Sequence, residues 1–329
     1  MTWEQVREAW LASKKVRSGG ENTARAYGCA LRQLERAMGR PAWELDAEDA
    51  QEWASTLSAF AAPATVALKL SACRSFYEYA RRHAPDLWGT QPNPFELIER
   101  PRVSAYGRAR YPSTEEVQRL LHAIDASSAS GRRDFCLLYL LVTTCRRSSE
   151  VLQLRWGDIR PTRGAWVFHY RYKGGEERVA AMPPQGRAAI VAYLLAAGRD
   201  PERMAAGEFV FAPLYPGRAR RFARGSAPGA GAPHPISNQQ ANAIVWKWGR
   251  AAGLPREVCH VHGLRHAGAR LRIELGKARG QPLDLLDVKA LLGHSSLAVT
   301  QVYSESILEE PADPLGMEAA AFLLNGRVR

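Results

Sequence analysis

Between residues 92 and 110 the chain stops reading as helix, and this break most constrains what it can fold into. Pro92, Pro94 and Pro101 each lack a backbone donor, and each pushes the residue before it toward extended backbone. Residues 100–110 carry Arg100, Arg102, Arg108 and Arg110 and read as a basic, extended segment. A chain of 329 residues is long enough for two domains, each burying its own core. The sequence therefore divides into a first domain over residues 1–98, a linker over 99–111, and a second domain over 112–329 that ends in a tail helix.

On either side of the break the periodicity is mostly helical. Ala26, Ala30, Leu31 and Leu34 recur at helical spacing after an Asn22-Thr23 cap, and a further helix begins near Pro63-Ala64-Thr65. The latter places Val66, Leu70, Cys73 and Phe76-Tyr77 along one face, with Lys69, Arg74 and Arg81-Arg82 interspersed. Periodicity alone makes this a small helical bundle with solvated basic faces. In the second domain, Pro112-Ser113-Thr114-Glu115-Glu116 is a fresh helix start. Residues 166–172 alternate bulky side chains, residues 173–176 supply a turn, and residues 178–182 return, which is a β-hairpin with Lys173 at its tip. The fold class is mainly α with a small antiparallel β-sheet. Residues 213–235, rich in Pro, Gly and Ala, hold Arg218, Arg220, Arg221 and Arg224 without an acid. They read as a basic loop that either follows a phosphate backbone or is a plain insertion.

The net charge of +12 puts nucleic acid first among partners, because a basic surface concentrates polyanions and releases their counterions. Arg outnumbers Lys by 38 to 7, which suits forked phosphate recognition and equally suits a GC-rich genome. The five cysteines are scattered without a Cys-x-x-Cys pair, so neither a zinc site nor a disulfide framework is indicated and a reducing cytoplasm is expected. The N-terminus is polar, and the longest apolar run, residues 135–145, is too short for a bilayer. No export and no membrane anchor are expected.

The chemistry concentrates in the last third. His262-Gly263-Leu264-Arg265-His266 is followed by Leu291-Leu292-Gly293-His294 and, nine residues on, by Tyr303. Attack on a phosphodiester places extra negative charge on nonbridging oxygens, and a guanidinium matches it with two parallel donors. Arg265 is one candidate. Arg147, in Thr144-Cys145-Arg146-Arg147-Ser148-Ser149-Glu150, is a second, although an Arg with Glu at i+3 on a helix is otherwise read as a surface ion pair. His262 lies three residues before Arg265, on the same helical face, where an imidazole near neutral pKa can move protons. No carboxylate cluster suggests a metal and no Gly-rich phosphate loop suggests ATP, so no cofactor is expected.

In these residues the sequence resembles the tyrosine recombinase (phage integrase) family. The family's Thr-Gly-Leu-Arg-x-Ser-Glu pattern aligns on Arg147 and Glu150, with Leu154-Arg155-Trp156 fixing the frame, and its Lys-Gly-x-x-Glu-Arg element aligns on Lys173 to Arg178. Two positions depart from it: Cys145 stands where glycine is usual, and Arg146 where an apolar residue is expected. Asn22-Thr23 through Tyr27, Leu70 through Tyr77, and Asn93-Pro94-Phe95 look like the family's N-terminal core-binding, SAM-like domain. The resemblance implies a two-domain DNA clamp. It further implies Tyr303 as a nucleophile forming a 3′-phosphotyrosine, His294 as hydrogen-bond donor to a nonbridging oxygen, and Lys173 as proton donor to the leaving 5′ oxygen. With Arg147, His262 and Arg265 these make six catalytic positions; His266 is assigned a structural role.

The partner implied is double-stranded DNA with inverted-repeat sites, gripped by a homotetramer or by a heterotetramer with a related recombinase, through a Holliday junction. Lys69, Arg74, Arg81, Arg102, Arg220 and Arg221 are the candidate DNA contacts. The implied location is cytoplasmic, at the nucleoid. Pro311 and Pro314 precede Met317, Ala320, Ala321 and Leu324, an apolar helical face that either packs back on its own domain or, as the resemblance implies, docks on a neighbouring protomer. Two rival functions are weighed: DNA relaxation of the type IB topoisomerase kind, and a catalytically silent DNA-binding accessory protein. Xer-like resolution and mobile-element integration stay open.

Overall fold

The computed structural model describes residues 1–18, 21–102, 110–171, 176–214, 234–283, 285–292 and 314–324. Among the described residues the chain forms two compact units, one within Met1–Gly107 and the other within Arg108–Tyr172 and Glu176–Arg329.

The first unit is helical: α1 (Trp3–Ser18), α2 (Glu21–Met38), α3 (Ala47–Phe60), α4 (Pro63–His83) and a single turn, α5 (Pro85–Trp88). Glu4 in the first turn of α1 and Lys15 and Arg17 in its last complement the helix dipole. The α2 helix already runs at Asn22 and Thr23, so these lie in its first turn and do not cap it; Ala26 faces solvent while Ala30, Leu31 and Leu34 are buried. Asp46 caps α3 with a reciprocal bond from Asp49. Pro63 occupies the first position of α4, where its missing N–H costs nothing. The anticipated face of α4, Val66, Leu70, Cys73, Phe76 and Tyr77, is buried against Trp10, Leu31, Leu34 and Trp88. The Tyr77 hydroxyl donates to Ala42 O at 2.7 Å. Asn93 is buried; its Nδ2 donates to Arg74 O while its Oδ1 accepts from Phe95 N, which fastens the Asn-Pro-Phe segment to α4.

The second unit opens with α6 (Thr114–His122), whose Ser113 and Glu116 form the expected capping box. Its central helix, α7 (Ala129–Thr144), is buried from Cys136 to Thr144 on every face, as a helix apolar all round must be. The short α8 (Ser148–Leu152) leads to a three-stranded antiparallel sheet, β1 (Ile159–Thr162), β2 (Ala165–Arg171) and β3 (Glu177–Met182), in the order β1-β2-β3. The β2–β3 hairpin is as expected, with Tyr170 opposite Arg178; its tip, residues 172–175, lies outside the described residues. The first strand was not anticipated. It pairs through a two-residue turn, Arg163-Gly164, in which both residues have positive φ.

Then follow α9 (Pro184–Ala196), α10 (Asn238–Ala251), α11 (Val261–Ala278), α12 (Leu285–Leu292) and α13 (Pro314–Leu324). A Cβ at Gly268 of α11 would come within 2.0 Å of Val142 O of α7, so these helices touch backbone to backbone at that point. Within the single chain the tail helix packs on its own unit. Ala319, Ala320 and Leu323 of α13 are buried in the core of its own unit, Arg279 pairs with Glu318 at 2.5 Å, and Gln118 donates to Phe322 O. Its apolar face is covered by α6, α7, α9 and α11 of the same chain.

Candidate active site

The site is built where α7 ends, α11 begins and α12 stops. Thr144 closes α7, and Cys145 follows in the left-handed conformation, φ 51° and ψ 25°. The glycine usual at this position adopts that conformation freely; a cysteine bears a steric cost of roughly 1–2 kcal/mol. Arg272 of α11 meets the turn from below, donating Nη1 to Cys145 Sγ at 2.6 Å and Nη2 to Thr143 O at 2.5 Å. The turn thus keeps its shape with Cys145 in place of glycine, held by the buried Arg272.

Arg147 comes next as the N-cap of α8. Its backbone N–H donates to Glu150 Oε2 at 2.8 Å and its Nη1 to Glu150 Oε1 at 3.0 Å, so the carboxylate, itself buried, fixes both ends of the residue. The ion pair expected at this spacing is present, and the Arg147 side chain stays 36% exposed.

Arg265 is only 2% exposed, one turn into α11. Its Nη2 donates to Leu292 O, the last carbonyl of α12, while Nε and Nη1 are buried with no hydrogen-bond partner among the described residues. Burial, and then the charges of Arg147 and Arg146, push its pKa down to about 10. It remains cationic at neutral pH. Three arginines therefore act on one another across this site, with Glu150 opposing them.

His260 caps α11, accepting from Gly263 N at 2.9 Å. His262, exposed as a residue, brings its ring against His266, the two Nε2 atoms 2.9 Å apart, and His266 stacks on Tyr111 at 4.3 Å between centroids. One ring must donate and the other accept, so at most one proton lies between them. Desolvation first, then Arg265, His260 and Arg147, hold His262 below the ordinary histidine range.

The fold brings Arg147, His262 and Arg265 into one electrostatic neighbourhood. Lys173, His294 and Tyr303 lie outside the described residues, as do Arg220 and Arg221 of the basic loop. Of the other cationic candidates, Arg81 and Arg102 are exposed and Lys69 is half-buried on α4. Arg74 is engaged within its own unit, by Glu78 at 3.1 Å and Glu96 O at 3.4 Å. Sequence reasoning missed Arg272, Tyr111 and Tyr170. The first carried a signal, since it follows Arg265 by seven residues and so shares its helical face.

The description "phage integrase family" matches residues 111–309, and "phage integrase, N-terminal SAM-like domain" matches residues 9–84. The chain belongs to the phage integrase family. Its relatives carry the name tyrosine recombinase. The XerD of Caulobacter vibrioides is 30% identical over 305 residues, 90% of each chain, and that of Neisseria meningitidis serogroup A is 29% identical, covering 86% of this chain and 87% of its own. Among solved structures, the XerH site-specific recombinase bound to its difH substrate superposes with a TM-score of 0.65 at 19% identity, over 92% of this chain and 82% of that one. A lambda integrase dimer bound to a core site gives 0.63 at 15% identity, over 94% and 100%. These structural likenesses concern the fold. The chain is a tyrosine recombinase, an enzyme of DNA strand breakage and rejoining, and neither rival reading is favoured. No helix among the described residues is long and apolar enough to cross a membrane.

Proposed function

We propose that this recombinase acts site-specifically on double-stranded DNA carrying inverted arms, in the manner of the Xer proteins, as a tetramer on two sites in the cytoplasm. Tyr303 attacks the scissile phosphorus. Its phenolic oxygen bonds to phosphorus as the P–O5′ bond breaks, giving a 3′-phosphotyrosine and a 5′-hydroxyl. The phenol's proton passes to His262, whose depressed pKa makes the ring neutral and ready to accept it. Lys173 supplies the proton to O5′. Arg147 and Arg265 hold the nonbridging oxygens as charge builds on them, and His294 donates to one of these. Religation by the 5′-hydroxyl of a partner strand reverses each transfer, and strand exchange passes through a Holliday junction.

The observation that carries this reading is Arg265. A guanidinium with two buried donors unpartnered among the described residues costs stability unless it meets an anion. Arg147 beside it supplies a second fork of the kind a phosphodiester needs. The match to the Caulobacter protein over nine-tenths of both chains supports the Xer-like assignment over mobile-element integration. The six catalytic positions, the division into a core-binding and a catalytic domain, and DNA contacts by Lys69, Arg81 and Arg102 belong to this proposal.

A nicked suicide duplex tests it. The wild type should leave a covalent protein–DNA band on a denaturing gel, and Tyr303→Phe should bind the duplex equally well without forming it. A persistent band in the variant overturns the assignment of the nucleophile.

A further inference from the structure

Arg146 stands where the family pattern is apolar, and the structure gives it three bonds to three different elements. It is only 7% exposed. Its Nε donates to Thr144 O at 3.1 Å, at the end of α7; Nη1 donates to the Tyr170 hydroxyl at 2.5 Å, on β2; and Nη2 donates to Leu291 O, in the last turn of α12. The neighbouring carbonyl on α12, Leu292 O, receives Arg265. Two guanidinium groups thus cap one helix C-terminus, where carbonyls lack intrahelical donors and positive charge is favoured. Behind them Val288 and Leu292 of α12 pack on Cys145 and Ala269.

We infer that Arg146 is a positioning residue for the phosphate clamp made by Arg147 and Arg265. This rests on the recombinase reading above. Arg147 adjoins Arg146 in the chain, and Arg265 shares the end of α12 with it, so Arg146 ties the loop that bears one clamp to the helix end that holds the other. Tyr170 anchors that tie to the sheet. Buried and committed to three acceptors on the protein, Arg146 acts through these contacts and not on the scissile phosphate itself. An apolar side chain at this position makes none of them.

The experiment measures single-turnover cleavage of two suicide duplexes, one with a normal scissile phosphate and one with a neutral methylphosphonate there. The methylphosphonate has lost the charge that the clamp serves. Arg146→Leu should slow cleavage of the normal duplex by roughly 10²-fold, the scale of a small misplacement of catalytic groups, with binding to a single site unchanged. On the methylphosphonate the gap to the wild type should narrow to a few-fold. Tyr170→Phe should reproduce part of the loss and add little on top of Arg146→Leu, because both cut the same tie. Arg146→Lys, which keeps the charge and one donor, should recover part of the rate.

A loss of the same size on both duplexes would mean that Arg146 serves only general stability. Additive losses, or a full rate in Arg146→Leu, would equally overturn the inference. If Arg146→Leu does not fold, Arg146→Lys and Tyr170→Phe carry the same comparison. Arg147→Ala keeps the two claims apart: if it cleaves both duplexes at the wild-type rate, the clamp itself has failed, whatever Arg146 does.

Discussion

At the scale of the residue, the departures at Cys145 and Arg146 show how much a pattern reveals and where it stops. The choice of Arg147 over Arg146 was readable from the family pattern, whose frame Glu150 and Leu154-Arg155-Trp156 fix, and Arg147 pairs with Glu150 as the N-cap of α8. That Cys145 keeps a left-handed backbone was not, since the reason is Arg272, which lies 127 positions away. Two substitutions separate strain from contact. Cys145→Gly relieves the backbone by roughly 1–2 kcal/mol but removes the acceptor of a buried guanidinium at a cost of about 1–3 kcal/mol, so the two effects nearly offset. Cys145→Ala loses the acceptor and keeps the strain. Thermal unfolding should therefore place Cys145→Ala below both the wild type and Cys145→Gly, and an alanine variant as stable as the glycine one would deny that the backbone is strained.

His262 gives a second prediction at this scale. Its pKa is depressed by desolvation first and by neighbouring cations second, so its proton should be lost, in an NMR titration of the free protein, below the ordinary histidine value of 6.5. Arg147→Ala should raise the midpoint only part of the way back, because desolvation stays. The folded state favours the neutral ring, so stability at this site falls as the pH drops through the ordinary histidine range toward the folded midpoint. A midpoint unmoved by Arg147→Ala would place the two residues too far apart for the proposed site.

At the scale of the element, periodicity made α4, α6 and the β2–β3 hairpin legible, since each shows one apolar face, a capping signal or strict alternation. It left β1 unread, because its four residues include Pro161 and only Ile159 is buried. An apolar face in a tail helix says that a partner exists, but not which one; within the single chain α13 packs on its own unit. Removing α13 by a stop after residue 313 exposes the surface that covers Ala319, Ala320 and Leu323. Burial of Leu323 alone is worth roughly 1.5–3 kcal/mol, so the truncated protein should melt at a lower temperature even without DNA. An unchanged melting temperature would show that the tail's packing on its own core adds nothing to the free protein. Gly268→Ala probes the α7–α11 contact in the same way. A methyl group set 2.0 Å from Val142 O must push the helices apart, at a cost of about 1–3 kcal/mol, and should displace Arg265 one turn away and slow cleavage with it.

At the scale of the whole molecule, the proline-marked break predicts two units, and the buried clusters respect it. One core draws only on residues from Val6 to Phe95, the other only on residues from Val117 to Leu323. Each should therefore fold without its neighbour, and the division of labour between them can be measured on DNA. Under the proposed function all six catalytic positions fall within residues 110–329 of the sequence, while Lys69, Arg81 and Arg102 reach phosphates from the first unit. A fragment spanning residues 110–329 should then keep the chemistry and lose affinity. Its logarithmic plot of binding constant against salt should be shallower than that of the full chain by about 0.9 for each phosphate the fragment no longer neutralises. At saturating fragment the single-turnover cleavage rate should approach the full-length value, because affinity and not the clamp has been cut. Equal salt slopes would remove the first unit from the DNA interface. A fragment that binds but stays inactive at saturation would mean that the first unit helps to set the geometry of the clamp as well as to hold the duplex.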